Sequence, residues 1–182
     1  MSNSFGFGQQ EPSDTSSDFN VIWFIIQQAL GQVRTSIPVK VISVTPFNGT
    51  ALSGVVQVQP LINQVDGQGN SVPHGNLFQI PYLRIQGGTN AIIMDPSVGD
   101  IGLMAVCDRD ISSFKANGAQ ANPGSERSFD FSDGVYLFGF PTQPPLQYIE
   151  FTPAGINLIS TSAVNITAPG GLLVNGTPVT VP

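Results

Sequence analysis

The segment GINLISTSAVNITAP, residues 155–169, alternates apolar residues with small polar ones and contains no charged side chain. From residue 141 to residue 182 the chain carries one charged side chain, Glu150, whereas all six Lys and Arg residues lie before Ser128. Alternation with a period of two is typical of a strand with one buried face. The segment therefore predicts short strands whose apolar side has to be covered.

The alternation continues on both sides of this segment as a repeat. Five apolar pairs begin 7, 8, 8 and 7 residues apart, and turn-forming residues such as Asn175 and Gly176 separate them. Such regular spacing predicts a series of short strands, each with one narrow apolar face. The ten apolar residues of the repeat are Ile149, Phe151, Ile156, Leu158, Val164, Ile166, Leu172, Val174, Val179 and Val181.

A single copy of this ribbon has too few contacts to stay folded, because isolated two-stranded hairpins are marginally stable in water. Three identical chains wound about one axis would place the ten residues in a shared interior and would pair each open strand edge with a neighbour. We therefore expect residues 141–182 to build the interior of a homotrimer. A β-meander packed on the N-terminal part of the chain is the alternative.

The rest of the chain divides into three parts. Residues 1–17 are rich in Ser, Gly and Gln without periodicity, which predicts a flexible arm. Residues 18–36 are assigned to a helix, because apolar residues such as Ile22 and Ile26 recur at intervals of four and three. Residues 37–140 hold five or six strand-like segments with a small helix between the late strands. This pattern predicts a mainly β chain with an antiparallel barrel of the OB type.

The composition excludes several classes of function. A formal net charge of -6 leaves no basic face for a phosphate backbone, so we expect no nucleic-acid partner. Cys107 is the only cysteine, so no cysteine pair can hold zinc or act as a redox couple. The most apolar run, residues 21–30, is interrupted by Gln27 and Gln28 and is too short to span a bilayer.

Enzymatic motifs are absent from the sequence. His74 and Ser71 do not form part of a GxSxG or HExxH motif, and we assign His74 to a loop. Asp108 and Asp110, like Asp130 and Asp133, could be drawn as a carboxylate pair for glycoside cleavage. Helix capping and turn stabilisation explain these acids more simply. We therefore expect no enzyme, no metal site and no cofactor.

Two long stretches resemble a known family. They are VQPLINQVDGQGNSVPHGNLFQIPYLRIQGGTNAIIMDPSVGDIGLMAVCDRDISSFK (residues 58–115) and NPGSERSFDFSDGVYLFGF (residues 122–140), and the likeness extends upstream through FNVIWFIIQQAL (residues 19–30) and downstream into the repeat. They are similar to the N-terminal domain of the central, membrane-piercing spike proteins beneath the baseplate of contractile-tailed bacteriophages. The resemblance implies a trimer with an OB-fold domain attached to the baseplate hub. An intertwined triple-stranded β-helix would follow and point at the host.

The sequence departs from the family pattern at the tip. Spikes of this kind commonly finish with a His-x-His pair from each chain around a metal ion, but the only histidine here is His74. The metal site of the family is therefore not carried over to this sequence. We expect a separate small protein to form the tip at the C-terminal end; a short version of the spike with a blunt end is the alternative.

The resemblance implies a structural function in the virion. The chain is predicted to be the trimeric central spike of the tail baseplate, which attaches to hub proteins and transmits force to puncture the host outer membrane. The candidates for hub attachment are Phe19, Ile22, Trp23 and Ile26. The alternative function is a glycan-binding tail adhesin, in which Tyr82, Tyr136 and Trp23 would be the aromatic platforms.

Overall fold

A computed structural model describes residues 10, 12–49, 53–175 and 177–178 of the chain. Two compact units are present, residues 1–142 and residues 143–182. No helix within the described ranges is long and apolar enough to cross a membrane. The predicted flexible arm lies mostly outside the described residues, and its described part includes a 3-10 turn at Pro12–Thr15.

The described residues of the first unit form two helices, nine strands and a second 3-10 turn at Phe131–Asp133. The helices are α1 (Asp18–Leu30) and α2 (Ser112–Asn117). The strands are β1 (Ser36–Thr45), β2 (Val55–Pro60), β3 (Gln64–Val65), β4 (Ser71–Val72), β5 (Leu77–Pro81), β6 (Ile85–Gly87), β7 (Asn90–Ile92), β8 (Ile101–Val106) and β9 (Gly134–Gly139). The second unit contains β10 (Tyr148–Thr152), β11 (Gly155–Ile159), β12 (Leu173–Val174) and β13 (Thr177–Pro178).

Helix α1 ends at Leu30, earlier than the predicted residue 36. Gly31 lies at its C-terminal end, where its N–H donates to the carbonyl oxygen of Gln27 at 2.9 Å. Glycine is a poor helix former, and the chain enters β1 five residues later at Ser36. At the other end the side chain of Ser17 accepts a hydrogen bond from Asn20 N–H, which caps the helix.

The first unit is organised by a curled five-stranded sheet in the order β5-β2-β1-β8-β9, with all neighbours antiparallel. The register shifts in three of these pairs, between Val41 and Ser43, between Val56 and Val58, and between Gly102 and Met104. Such irregularities bend strands and increase their twist. The edge strands therefore approach each other, and Leu83 N–H donates to the carbonyl oxygen of Tyr136 at 3.2 Å beside a parallel bridge between Tyr82 and Tyr136.

The core lies on the concave side of this half-barrel. Alternate residues of β1 and β2 point into it, as the period-two pattern of VKVISV and VVQVQ predicts. Burying a Val or Ile side chain stabilises the fold by about 1.5–3 kcal/mol. The buried apolar residues are Ile37, Val39, Val41, Val56, Val58, Ile80, Tyr82, Met104 and Tyr136.

Two glycines make room for the two buried tyrosines. A Cβ added at Gly54 would overlap the ring of Tyr82, and a Cβ added at Gly102 would overlap the ring and hydroxyl of Tyr136. The Tyr82 hydroxyl also accepts a hydrogen bond from Phe47 N–H at 3.2 Å. The tyrosines close the half-barrel where its edges meet, and glycine is required opposite each ring.

The pairing of Gly102 with Tyr136 gives a stability prediction. In Gly102→Ala the new methyl group has to displace the Tyr136 ring, so we expect the free energy of unfolding to fall by about 1–3 kcal/mol. Gly75→Ala is the matched control, because an added Cβ there meets open space. Urea denaturation followed by circular dichroism measures both, and equal stability of the two variants would contradict the packing described here.

Candidate interaction surfaces

The hairpin formed by β10 and β11 presents an apolar face that no described residue covers. Ile149 lies opposite Leu158, and Phe151 lies opposite Ile156, so all four side chains share one side of the hairpin. Their exposed fractions range from 58% for Leu158 to 78% for Phe151. On the other side Asn157 donates a hydrogen bond to Glu150 at 3.0 Å. The hairpin is therefore amphipathic in the register that the sequence predicts.

The rest of the repeat is less regular in the single chain. Val164 and Ile166, predicted in a strand, lie outside the assigned strands and are exposed. Leu172 and Val174 are also exposed, and only Val174 of the two lies in β12. Val179 and Val181 fall outside the described residues. The predicted strand at Val164 and Ile166 is therefore not formed in the single chain.

A second apolar surface is helix α1. No residue of α1 is buried, and the exposed fractions of the predicted hub-contacting residues are 72% for Phe19, 57% for Ile22, 51% for Trp23 and 42% for Ile26. Helices of this length are marginal in water when isolated, and all 13 residues of α1 are at least partly exposed in one chain. Both surfaces that the sequence singled out are open in one chain.

The aromatic platforms of the alternative adhesin are not available in the barrel. Tyr82 is 2% exposed and Tyr136 is 3% exposed, because both close the core of the half-barrel. Burial also raises the pKa of the Tyr136 hydroxyl. The prediction that these two tyrosines could stack on a glycan is therefore wrong, and Trp23 is the one predicted platform that is exposed.

A pocket of about 310 Å³ lies beside the closure of the half-barrel. Its wall includes Arg84, whose guanidinium donates to both carboxylate oxygens of Asp95, at 2.7 and 2.6 Å. This ion pair raises the pKa of Arg84 and lowers that of Asp95. The described lining contains no His and no carboxylate, and its polar side chains include Ser53 and Lys115. The main apolar lining residues are Phe47, Pro81, Leu83, Ile111 and Phe114.

The acids of the CDRDIS and FDFSDG segments are held by structural contacts. Asp133 is fully buried and Asp110 is 6% exposed, and Arg127 contacts both carboxylates, at 3.2 and 3.0 Å. Asp110 also accepts hydrogen bonds from Ser112 N–H at 2.8 Å and from the Ser125 hydroxyl at 2.6 Å. These bonds from Ser112 and Ser125 hold the pKa of Asp110 well below its ordinary value.

The capping interpretation is confirmed for Asp130 and modified for Asp110. The Asp130 side chain accepts from Ser132 N–H at 2.8 Å at the start of the 3-10 turn, and this bond lowers the pKa of Asp130. Helix α2 begins at Ser112, and Asp110 binds its first N–H from outside the cap position, which Ile111 occupies. The sequence did not indicate Arg127 as the common partner, because its contact with Asp110 joins two separate loop segments.

Metal-binding clusters are not found within the described part of the chain, where no three His, Cys, Asp or Glu residues are grouped to hold an ion. Asp66 accepts hydrogen bonds from Gln68 N–H and Asn70 N–H, both at 2.8 Å, and these bonds close a turn. The His74 ring packs edge-on against Phe131, with centroids 5.2 Å apart. These contacts give both loops structural roles.

Comparison with known proteins identifies the domain that carries the curled sheet. The family model described as "Phage protein Gp138 N-terminal domain" matches residues 37–139. The matched segment begins in β1 and ends with the last residue of β9, so it includes all five strands of the half-barrel. A search of curated proteins finds no match.

The lowered pKa of Asp110 gives a prediction of pH dependence. A carboxylate whose pKa is lower in the folded state stabilises the fold above its unfolded pKa of about 4, and this contribution is lost as pH falls through the folded value. We expect the free energy of unfolding to decrease below about pH 4, and to decrease less in Asp110→Asn. Asp108→Asn, at an exposed neighbour, is the control and is expected to follow the unmodified chain. Identical pH profiles for Asp110→Asn and Asp108→Asn, measured by urea denaturation, would contradict this role.

Proposed function

Because the chain belongs to the family of phage proteins that share the Gp138 N-terminal domain, we propose that it is the trimeric central spike of a contractile tail baseplate. In this function the spike attaches to the baseplate hub and transmits the force of contraction to the host outer membrane. The working part is a stiff rod and not a catalytic site. The chain is accordingly proposed to act without enzyme activity or a cofactor, as a virion component.

The half-barrel is proposed to be an OB-fold adaptor at the base of the spike. Its first four strands follow the spatial order β8-β1-β2-β5, which is the order 4-1-2-3 of a Greek key, and β9 extends the sheet as the fifth strand. A five-stranded, partly open Greek-key barrel is the architecture of OB folds. The bridge between Tyr82 and Tyr136 joins the two edges and supports this assignment.

The observation that carries the proposal is the uncovered apolar face of the β10–β11 hairpin. Ile149, Phe151, Ile156 and Leu158 are all more than half exposed in one chain. A two-stranded hairpin cannot bury such a face by itself. Threefold association would bring three such faces together and would remove their apolar area from water. The same arrangement would bury Val164 and Ile166, which have no strand partner within one chain.

The exterior of such a rod would be uncharged and polar. From residue 141 onward Glu150 is the only charged residue, and it lies on the side of β10 opposite the apolar face. Its hydrogen bond to Asn157 ties the two strands together on that side. A narrow surface of Thr, Ser and Asn around a dry interior suits a part that has to pass through a membrane without binding to it.

Attachment to the hub is proposed for helix α1. Its exposed residues Phe19, Ile22, Trp23 and Ile26 form the largest helical apolar surface of the described chain. A separate protein at the tip remains a prediction of the sequence. The proposal includes no nucleic-acid partner, in agreement with the net charge of -6.

Two adjacent residues of β11 give a test of the interior. Leu158 lies on the apolar face and Ile159 lies on the opposite side of the same strand. Leu158→Asp would place three carboxylates around one axis, at a desolvation penalty of several kcal/mol each, so we expect the trimer to dissociate. Ile159→Asp introduces the same charge on the outer side and is expected to leave the trimer intact.

Sedimentation equilibrium of both variants measures this difference. A trimer that survives Leu158→Asp, or that is lost equally in both variants, would contradict a shared interior built from this face.

A further inference from the structure

Helix α1 has one side shielded by its own chain and one side open. Asn20, Val21 and Phe24 are half-buried, and they lie together on one side of the helix. The preceding Pro12–Thr15 turn packs against this side of α1. The Asn20 side chain donates hydrogen bonds to the Ser13 carbonyl oxygen at 2.7 Å and to the Ser16 hydroxyl at 2.8 Å, which hold the turn in place. The remaining apolar surface of α1 faces away from the turn.

The open side carries a heptad pattern. Phe19, Ile22, Ile26 and Ala29 are spaced by three, four and three residues, which corresponds to positions a, d, a and d. In this frame the shielded residues Asn20, Val21 and Phe24 occupy positions b, c and f, on the side away from the a/d seam. The turn therefore covers the side of α1 that lies away from the a/d seam, and the seam itself is left open.

From these observations we infer that the α1 helices of three copies pack against one another as a short parallel three-helix bundle, with the a/d seam as its core. The inference rests on the proposed trimer and specifies how its N-terminal part associates. Isoleucine at both a and d positions favours three or four strands over two, and Ile22 and Ile26 provide this combination. The preferred number of helices matches the symmetry proposed for the repeat.

Charge does not oppose this association. From Phe19 to Val33 the chain contains no charged residue, so no like charges would face each other across the seam or along its flanks. Asp18 lies at the N-terminal end of the helix, where a negative charge is favourable. A bundle about 20 Å long would hold the three copies together at the end of the chain opposite to the repeat.

The bundle also changes which residues are left for the hub. Phe19, Ile22 and Ile26 would be inside it, whereas Trp23 at position e would remain on its flank and is 51% exposed in one chain. Ile25 at position g lies on the other flank and is 59% exposed. A hub partner would therefore contact the flanks of the bundle rather than the seam.

Disulfide trapping in the full-length chain tests this inference. Cys107→Ser removes the native thiol, and Ile26→Cys, Ala29→Cys or Gln27→Cys is then added singly. Positions a and d bring identical residues of parallel helices close enough for a disulfide, whereas Gln27 at position b points outward. We expect mild oxidation to double the mass of Ile26→Cys and Ala29→Cys chains on a non-reducing gel and to leave Gln27→Cys chains single.

Light scattering of the same reduced samples separates the two proposals. A trimer that forms no disulfide at residue 26 or 29, or that forms it equally at residue 27, overturns the three-helix bundle and leaves the proposed spike standing. A monomer overturns both. Because Ala29→Cys retains the two isoleucines of the seam, a bundle weakened by the loss of Ile26 is still detected.

Discussion

The cross-strand pairing of Ile149 with Leu158 and of Phe151 with Ile156 is the constraint on which the functional interpretation depends. Antiparallel register places these four side chains on one side of a two-stranded hairpin, and a one-residue shift would divide them between both sides. The hairpin has no third layer among the described residues to cover them. The proposed self-association about an axis would cover this face and would also occupy the open strand edges, which otherwise invite uncontrolled pairing.

The half-barrel covers the apolar face of its own sheet within one chain. Its register irregularities bend the sheet until the edge strands meet, and the core is then closed by Tyr82 and Tyr136 against Gly54 and Gly102. The negative charges of the buried Asp110 and Asp133 are balanced by Arg127, and both carboxylates also accept hydrogen bonds. These contacts hold the segment between β8 and β9 against the sheet. The first unit thus has a core of its own, whereas the described residues of the second unit expose apolar side chains and include no buried core.

The sequence was sufficient to predict strands and their buried faces where buried and exposed residues alternate with a period of two. The pattern predicted strands within residues 37–140, and alternation predicted the apolar face of β10 and β11 residue by residue. It failed where the outcome depends on residues distant in sequence. The burial of Tyr82 and Tyr136 follows from sheet closure, and the contact of Arg127 with Asp110 follows from the packing of two loops. Helix α1 ends before the predicted residue 36, because Gly31 terminates it although the helical spacing of apolar residues continues to Val33.

The central claim is that copies of this chain cover one another's apolar faces. The most direct test is the mass of the purified full-length chain, measured by light scattering over a range of concentrations. We expect a single species of three times 19.2 kDa that persists on dilution. A chain that remains at 19.2 kDa at every concentration would contradict it, because the β10–β11 face would then stay uncovered without association.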